Sequence, residues 1–334
     1  MRMPETQISR RILLQMGATA ATLLCSGMAN DALQAAPRQA TNAPGVRWIK
    51  LSSGHKVWTQ RMGSGPVKVL LLHGGPGFSH DYLQCFADFL PQAGYELYFY
   101  DQLGCGNSDR PNDPSLWTLP RYLQEVEEVR AGLGLDRFVL YGHSWGGILG
   151  IEYALTHPDR LSGFILSNMT ASIDDYIAYT TRLRAALPEA TRKELDRLEA
   201  ASEAGGKEFN EIIERELYPR HILRLETWPE PVMKAFAAVN GDIYNQMQGA
   251  NEFVFTGNLR KWDRWADLPK IRTRTLIMGA ANDEMDPQSV RREASLISDA
   301  ELFISQQGSH LAMWDDQKAY FEALLRFLPS VKVT

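Results

Sequence analysis

Gly142-His143-Ser144-Trp145-Gly146 decides the fold of this chain because of what stands on either side of it. An apolar run over residues 138–141 precedes the pentapeptide, and a helical pattern over residues 148–155 follows it. A G-x-S-x-G motif between a strand and a helix is typical of a sharp turn that exposes the serine hydroxyl. The sequence therefore predicts that Ser144 is a nucleophile presented at the end of a strand.

Short apolar runs recur on both sides of this motif and alternate with helical patterns. The runs that predict strands cover residues 67–72, 95–100, 138–141, 164–167, 274–278 and 302–305. A hairpin is expected over 46–51 and 56–61, and helices over 122–132 and 318–327. Fully apolar strands interleaved with helices predict an α/β fold with a mostly parallel, doubly wound sheet that is covered on both faces.

The segment between residues 169 and 267 has a different character from the rest of the chain. It is rich in Leu, Arg and Glu and predicts helices broken at Pro188, Gly205-Gly206, Pro219, Pro229-Glu230-Pro231 and Gly241. We interpret this segment as a helical cap. The cap is inserted into a core that comprises residues 45–168 and 268–330.

The first 36 residues resemble a twin-arginine export signal. Ser9-Arg10-Arg11 precedes a modestly apolar stretch over residues 16–29, and small residues follow through Ala35-Ala36. The apolar stretch is short for a membrane span, so we expect a periplasmic or secreted protein with no membrane association after cleavage near residues 32–36. The alternative interpretation is an amphipathic N-terminal helix that frays.

Composition narrows the classes of partner. The 334 residues carry a formal net charge of −5 at pH 7, which argues against nucleic acid as a partner. Cys25 lies in the leader, and Cys85 and Cys105 are expected to be buried free thiols, although an oxidising compartment permits their pairing. The seven histidines show no metal-ligand spacing, so no metal or other cofactor is expected. Sequence leaves the oligomeric state open.

A nucleophilic serine needs a histidine base, and the base needs an acid that orients it. In this architecture the acid and then the histidine follow the serine along the chain, each on a loop after a strand. Asp283 and His310 fit these positions. Asp286 and Asp263 are rival acids, and Asp283 is preferred because it is nearer the carboxyl end of its strand. His143 is expected to be a packing neighbour rather than the base.

Two backbone N–H groups are candidates for an oxyanion hole. Trp145 follows the serine at a helix N-terminus, where N–H groups have no partner within the helix. A second donor is expected from the loop His73-Gly74-Gly75-Pro76-Gly77, and we assign it to Gly75. The alternative for this loop is a tight turn without a catalytic part.

Three motifs together resemble the proline iminopeptidase family of α/β-hydrolases. They are the loop at residues 73–77, Asp101-Gln102-Leu103-Gly104-Cys105-Gly106-Asn107-Ser108, and the serine motif extended to Gly147. The likeness extends over roughly residues 45–328. It implies a serine peptidase that removes an N-terminal residue, preferably proline, with a helical cap that admits only chain ends.

The resemblance also implies two residues that bind the substrate's α-amino group. Met247-Gln248-Gly249-Ala250-Asn251-Glu252-Phe253 is similar to the cap segment whose glutamate holds the amine, which implies Glu252. Asp283-Glu284 is similar to the family's pairing of the triad acid with a second amine-binding glutamate, which implies Glu284. Two carboxylates in a closed pocket are suited to a desolvated cationic amine.

Alternatives to a proline-specific peptidase remain at this point. Leu103 stands where many family members have arginine, and His143 also departs from the common pattern; a related branch with broader aminopeptidase or amino-acid amidase activity shows such changes. The substrate would then be a small peptide or an amino-acid amide. An esterase, lactonase or acylase acting on a neutral molecule is the main alternative, and a non-enzymatic binding protein of this fold is a second. Dehalogenases and epoxide hydrolases are disfavoured because they have aspartate where Ser144 stands.

Overall fold

The computed structural model of the chain describes residues 43–332. The predicted leader over residues 1–36, its cleavage site and Cys25 lie outside the described residues. Eight strands form one sheet in the order β1-β2-β4-β3-β5-β6-β7-β8. The strands are β1 Val46–Lys50, β2 Lys56–Met62, β3 Lys68–Leu72, β4 Glu96–Tyr100, β5 Phe138–His143, β6 Leu161–Ser167, β7 Thr275–Ala280 and β8 Ala300–Ser305.

The sheet is parallel from β4 through β8, and β1 and β2 add an antiparallel edge. The expected hairpin is present, with Ile49 opposite Val57. Strand β5 lies between β3 and β6, and all six of its residues are buried. This burial on both faces explains why its sequence is apolar without alternation. The prediction of a mostly parallel α/β sheet is confirmed.

Helices cover both faces of the sheet and fill the insertion. The α-helices are α1 Leu119–Leu133, α2 Trp145–Thr156, α3 Ile173–Ala185, α4 Glu189–Ala200, α5 Lys207–Glu216, α6 Tyr218–His221, α7 Glu230–Ala237, α8 Gly241–Met247, α9 Pro287–Leu296, α10 Ala312–Asp315 and α11 Gln317–Phe327. Short 3₁₀ segments are His80–Asp88, Pro114–Leu116, Pro158–Arg160, Leu268–Lys270 and Leu328–Ser330. Between residues 43 and 332, none of the helices combines the length and apolar character needed to cross a bilayer.

Helix α1 begins three residues before the predicted start at 122, at Leu119. Pro120 stands in its first turn, where a missing N–H costs no helical hydrogen bond. The helix ends at Gly134, which has a left-handed φ of 73° that suits glycine. Apolar spacing revealed the buried middle of this helix, while its ends depend on capping residues.

Helices α3 to α8 all lie within the predicted cap segment 169–267. The residues expected to break helices there mostly start them. Pro188 is the residue before α4, Gly206 is the residue before α5, and Pro231 lies in the first turn of α7. Proline is accepted at these places because the first N–H groups of a helix have no partner within it.

The cap contacts the core at several separate places. Lys234 on α7 forms an ion pair of 2.8 Å with buried Asp81, and Asn240 donates from Nδ2 to the carbonyl oxygen of Gly104 at 2.9 Å. At the other side, Arg182 on α3 pairs with Asp286. The cap is therefore anchored on both flanks of the strand ends that carry the candidate site.

Cys85 and Cys105 are both buried and unpaired with each other. This agrees with the expectation of two buried free thiols. Burial raises the pKa of both thiols, that of Cys105 to about 12, so neither ionises near neutral pH.

Candidate active site

Ser144 occupies the sharp turn between β5 and α2. Its backbone has φ 56° and ψ −125°, a left-handed conformation that is strained for a residue with a side chain. The flanking glycines are needed for space. A Cβ at Gly142 would lie 2.2 Å from the carbonyl oxygen of Gly146, and a Cβ at Gly146 would lie 2.2 Å from that of Leu72. The local geometry is therefore that of a nucleophile elbow.

His310 and Asp283 meet at this end of the sheet. The Nδ1–H of His310 donates to Oδ1 of fully buried Asp283 at 2.9 Å. The second carboxylate oxygen of Asp283 accepts from Nδ2 of Asn168 at 2.6 Å. Burial disfavours the charged imidazolium, but the neighbouring carboxylate outweighs burial and raises the pKa of His310. With its proton on Nδ1, the neutral ring keeps Nε2 as an acceptor.

His143 connects the serine turn to the histidine loop. Its Nε2–H donates to the carbonyl oxygen of His310 at 2.9 Å, and the two imidazole centroids are 4.8 Å apart. His143 is thus a packing neighbour, as expected, and it brings the residue next to Ser144 against His310. The Ser144 hydroxyl makes no hydrogen bond to another residue within 43–332. Such bonds often form fully only when substrate is bound, and the roles of Ser144 and His310 stay predictions.

The rival acids serve other purposes. Asp286 caps α9 by accepting from the N–H of Gln288 at 2.9 Å and also pairs with Arg182. Asp263 accepts from the N–H of Trp265 at 3.1 Å. Neither carboxylate contacts His310, which leaves Asp283 as its acid partner.

Both predicted oxyanion donors keep their N–H groups available. The N–H of Gly74 is used, because it donates to the hydroxyl of Tyr82 at 2.5 Å. The N–H of Gly75 donates to no other group within residues 43–332. Trp145 is the first residue of α2, so its N–H has no partner within the helix. The assignment of both groups to an oxyanion hole is consistent with this geometry and stays a prediction.

The two predicted amine-binding glutamates share a tyrosine. The hydroxyl oxygen of Tyr176 on α3 lies 2.5 Å from Oε1 of Glu284 and 3.0 Å from Oε2 of Glu252. The other oxygen of Glu284 is buried without a hydrogen-bond partner. Burial raises the pKa of Glu284, and the charge of Glu252 raises it further. Burial likewise raises the pKa of Glu252, against the opposing effect of His310. The pair forms an acidic site next to the triad.

A narrow cavity of about 20 Å³ reaches this acidic site from the cap. Its walls include Glu252 and aromatic rings from the core and the cap, namely Phe78, Tyr218, Phe236 and Tyr244. Its volume is close to that of one water molecule. In residues 43–332, no group of three or more His, Cys, Asp or Glu side chains is arranged to hold a metal ion.

Several residues of the site were not predicted from the sequence. Asn168 directly follows β6, a position at a strand's carboxyl end that would have justified naming it. Tyr82 and Tyr176 carry no such signal, because each reaches the site from an element outside the motifs. Gln102 stands inside a quoted motif without an assigned role.

The sequence is similar to known α/β hydrolases over most of its length. The family model for the α/β hydrolase fold matches residues 68–317. The proline iminopeptidase of Flavobacterium johnsoniae is 41% identical over 280 residues, which cover 83% of this chain and 94% of that protein. The proline iminopeptidase of Chitinophaga pinensis is 42% identical over 290 residues, which cover 85% and 97%. The chain belongs to the proline iminopeptidase family of α/β hydrolases.

Solved structures agree with this membership. The proline iminopeptidase of Mycobacterium smegmatis superposes with a TM-score of 0.77 at 29% identity, covering 85% of this chain and 98% of that one. A protein named VinJ gives a TM-score of 0.81 at 31% identity, covering 87% and 100%. The resemblance inferred from the three motifs is therefore confirmed. The three motifs, at residues 73–77, 101–108 and 142–147, lie at the carboxyl ends of β3, β4 and β5.

Proposed function

We propose that this protein is a serine aminopeptidase that releases an N-terminal residue, preferably proline, from small peptides or amino-acid amides. The observation that carries the proposal is the glutamate pair beside the triad. Neither Glu252 nor Glu284 forms an ion pair with a lysine or arginine of residues 43–332. An acidic pair with Glu284 fully buried, Glu252 partly buried and no lysine or arginine partner within residues 43–332 is suited to a cationic substrate amine.

The proposed reaction begins when the Ser144 hydroxyl attacks the carbonyl carbon of the first residue. Nε2 of His310 takes the hydroxyl proton, and Asp283 stabilises the resulting imidazolium. The oxygen that becomes negative is held by the N–H groups of Gly75 and Trp145. His310 then gives its proton to the leaving nitrogen, and the C–N bond breaks to leave an acyl-enzyme.

Water completes the cycle. His310 removes a proton from a water molecule, whose oxygen attacks the acyl carbon and displaces Ser144. The same imidazole returns the proton to the serine oxygen, and the free amino acid leaves. No cofactor takes part in this sequence of steps.

The acidic pair explains why the first residue alone is removed. His310 Nε2 lies 3.8 Å from Oε1 of Glu284, so a bound amine lies close to the reacting carbonyl. A substrate with a blocked amine would leave Glu252 and Glu284 without a positive partner. This charge requirement also disfavours a neutral ester or lactone as the natural substrate.

Free and N-acetylated p-nitroanilides of proline, alanine and leucine test the proposal. We expect turnover of the free-amine compounds, with proline fastest, and no measurable turnover of the acetylated ones. Equal turnover of free and acetylated compounds would overturn the amine-binding assignment. Loss of all turnover in Ser144→Ala, with the fold retained, is the matching test of the nucleophile.

We also propose that the protein is exported by its N-terminal segment and acts in the periplasm or outside the cell. The order of paired arginines, apolar stretch and small residues over positions 10–36 supports this. After cleavage, the substrate would be a small peptide or amide encountered outside the cytoplasm.

A further inference from the structure

Gln102 lies between the two loops that carry the proposed oxyanion donors, and its side chain is fully buried. Its Oε1 accepts from the indole Nε1–H of Trp145 at 2.8 Å. Its Nε2–H donates to the carbonyl oxygen of His73 at 3.1 Å. One amide group therefore joins the residue after the nucleophile to the start of the glycine-rich loop.

The backbone N–H of Gln102 is also linked to the Gly74 carbonyl group through the His73 ring. The N–H of Gln102 donates to Nε2 of His73 at 3.0 Å, so Nε2 must be the unprotonated nitrogen. Burial is the main cause that lowers the pKa of His73 to about 4, which keeps the ring neutral. Its proton is therefore on Nδ1, which donates to the carbonyl oxygen of Gly74 at 2.9 Å.

This last contact sets the direction of the Gly75 N–H. The carbonyl of Gly74 and the N–H of Gly75 belong to the same planar peptide group and point in opposite directions. Holding the Gly74 oxygen with the His73 ring therefore aims the Gly75 N–H away from that ring. The hydroxyl of Tyr82 holds the preceding N–H, that of Gly74, at 2.5 Å. The two peptide groups that flank Gly74 are thus each held by a buried side chain.

We propose that Gln102 and His73 are positioning residues that set the oxyanion hole, by fixing the Gly74–Gly75 peptide and the Trp145 indole relative to each other. The proposal rests on the proposed serine hydrolase function. It gives a role to the motif at residues 101–108, in which Gln102 follows Asp101. The amide is specific to the task, because it supplies one acceptor for the indole and one donor for the carbonyl.

Substitution of Gln102 should weaken binding of the transition state and leave binding of the ground state intact. Removing one oxyanion donor outright costs about 100- to 1000-fold in kcat. A donor that is present but misaligned should cost less, about 10- to 100-fold. KM and product inhibition depend on the glutamate pair and should hardly change.

The test compares two probes in wild type, Gln102→Leu and Gln102→Glu. The boronic-acid analogue of proline forms a tetrahedral adduct with Ser144, whereas L-proline binds without one. We expect Gln102→Leu to weaken binding of the boronic acid by the same factor by which it lowers kcat for prolyl p-nitroanilide. The inhibition constant of L-proline should stay unchanged within about twofold. Gln102→Glu keeps the acceptor for the indole and loses the donor to His73, and should give a smaller loss of the same kind.

Trp145→Phe provides a second variant that keeps the backbone N–H and removes the indole donor together with part of the buried ring. Combined with Gln102→Leu it should add little, because both changes remove the same hydrogen bond. Gln317→Leu, which removes a half-buried glutamine amide on α11, is the matched control and should leave both probes unchanged. If L-proline weakens as much as the boronic acid in the Gln102 variants, their role is only structural and the proposal is overturned.

The rate at which a fluorophosphonate labels Ser144 separates this proposal from the proposed substrate. That reaction forms a bond from the serine oxygen to phosphorus and releases fluoride, and it needs the oxyanion hole but no amine. Wild type that labels quickly yet cleaves no aminoacyl anilide would overturn the substrate assignment alone. Labelling that is equally fast in wild type and Gln102→Leu would overturn the role of Gln102.

Discussion

The proposed role of Glu252 is to supply the charge that distinguishes an aminopeptidase from a neutral esterase of the same fold. We expect Glu252→Gln to lower kcat/KM for free-amine substrates by about 10- to 100-fold, because a charge-assisted hydrogen bond contributes about 1.5–3 kcal/mol. Hydrolysis of a neutral ester such as p-nitrophenyl acetate should be nearly unchanged. Glu211→Gln, at an exposed position on α5, is the control. A parallel loss on both substrate types would contradict the role given to Glu252.

The pH dependence of the reaction follows from three raised pKa values. His310 must be neutral to act as a base, and its pKa is raised chiefly by Asp283 against the effect of burial, so activity falls as pH decreases through a value above the ordinary 6.5. The pKa values of Glu252 and Glu284 are raised by burial, so amine binding also weakens as the pH decreases.

The titratable groups that face this pair are Asp283, His310, Tyr82, Tyr176 and Tyr244. For prolyl p-nitroanilide, kcat/KM should therefore fall on the acid side with a slope steeper than one proton. For a neutral ester the slope should equal one. Profiles with equal slopes, or an acid limb below pH 6, would count against this account.

The residues of the candidate site could be named from sequence to different degrees, and the catalytic roles of Ser144, Asp283 and His310 stay predictions. The flanking glycines of Ser144 and its position between a strand and a helix predict it as the nucleophile. The order of the acid and the histidine along the chain then predicts Asp283 and His310. Asn168, Tyr82 and Tyr176 were not predictable in the same way, because their contacts join segments that only tertiary packing brings together. Asn168, for example, is 115 residues from the carboxylate that it binds.

Among the elements, helix α9 carries a buried carboxyl group without a counter-charge. Glu293 is fully buried, and within residues 43–332 its carboxyl oxygens have no well-formed hydrogen bond, although the backbone of Ala171 lies close enough to oppose the rise in its pKa. Burial raises its pKa well above the ordinary 4.5, so the folded state favours the protonated acid. Stability from this group is therefore present below pH 4.5 and is lost as pH rises through the folded-state pKa.

We expect Glu293→Leu to stabilise the fold at pH 8 by about 1–3 kcal/mol and to have less effect at pH 5. Urea unfolding at both pH values measures this. Glu322→Leu, at an exposed position on α11, should change stability by no more than about 0.5 kcal/mol. A Glu293→Leu variant that is less stable at pH 8 would show that the carboxyl group has a partner that favours its charge.

Strands were easier to predict than helix limits, for a physical reason. The buried strands β3 and β4 are mostly apolar runs and begin within two residues of the predicted bounds, and the partly exposed β8 does so as well. Helix α9 did not stand out, because much of its surface is polar and its start depends on the Asp286 cap and Pro287. Capping residues have many uses in loops, so they identify a helix only when its neighbours are known.

At the scale of the whole molecule, the cap holds the catalytic loops in place. The N–H groups of His310 and Leu311 donate to the carbonyl oxygens of His221 and Ile222, both at 2.9 Å. The ring of His221 also bonds through Nδ1 to the carbonyl oxygen of Asn282 at 3.0 Å. The end of α6 therefore joins the acid loop to the histidine loop.

We expect His221→Phe to reduce kcat about 5- to 10-fold for peptide and neutral ester substrates alike, because it loosens the triad and leaves the amine site intact. Burial lowers the pKa of His221, so the effect should be the same at pH 7 and pH 9. Steady-state kinetics on both substrates measures it, with Arg220→Ala, at an exposed neighbouring position, as control. A loss confined to free-amine substrates would place His221 in amine binding instead.

The proposed export of the chain would depend on its N-terminal segment and not on residues 43–332. The site residues named above all lie between positions 73 and 310, so a chain that starts at residue 37 should be fully active on prolyl p-nitroanilide. The full chain should reach the periplasm of a bacterial host and lose about 36 residues, as measured by fractionation and intact mass. Substituting both Arg10 and Arg11 by Lys keeps the charge but should retain the active protein in the cytoplasm, because the translocase recognises the arginine pair as an address. Equal export of the two forms would rule out the twin-arginine route.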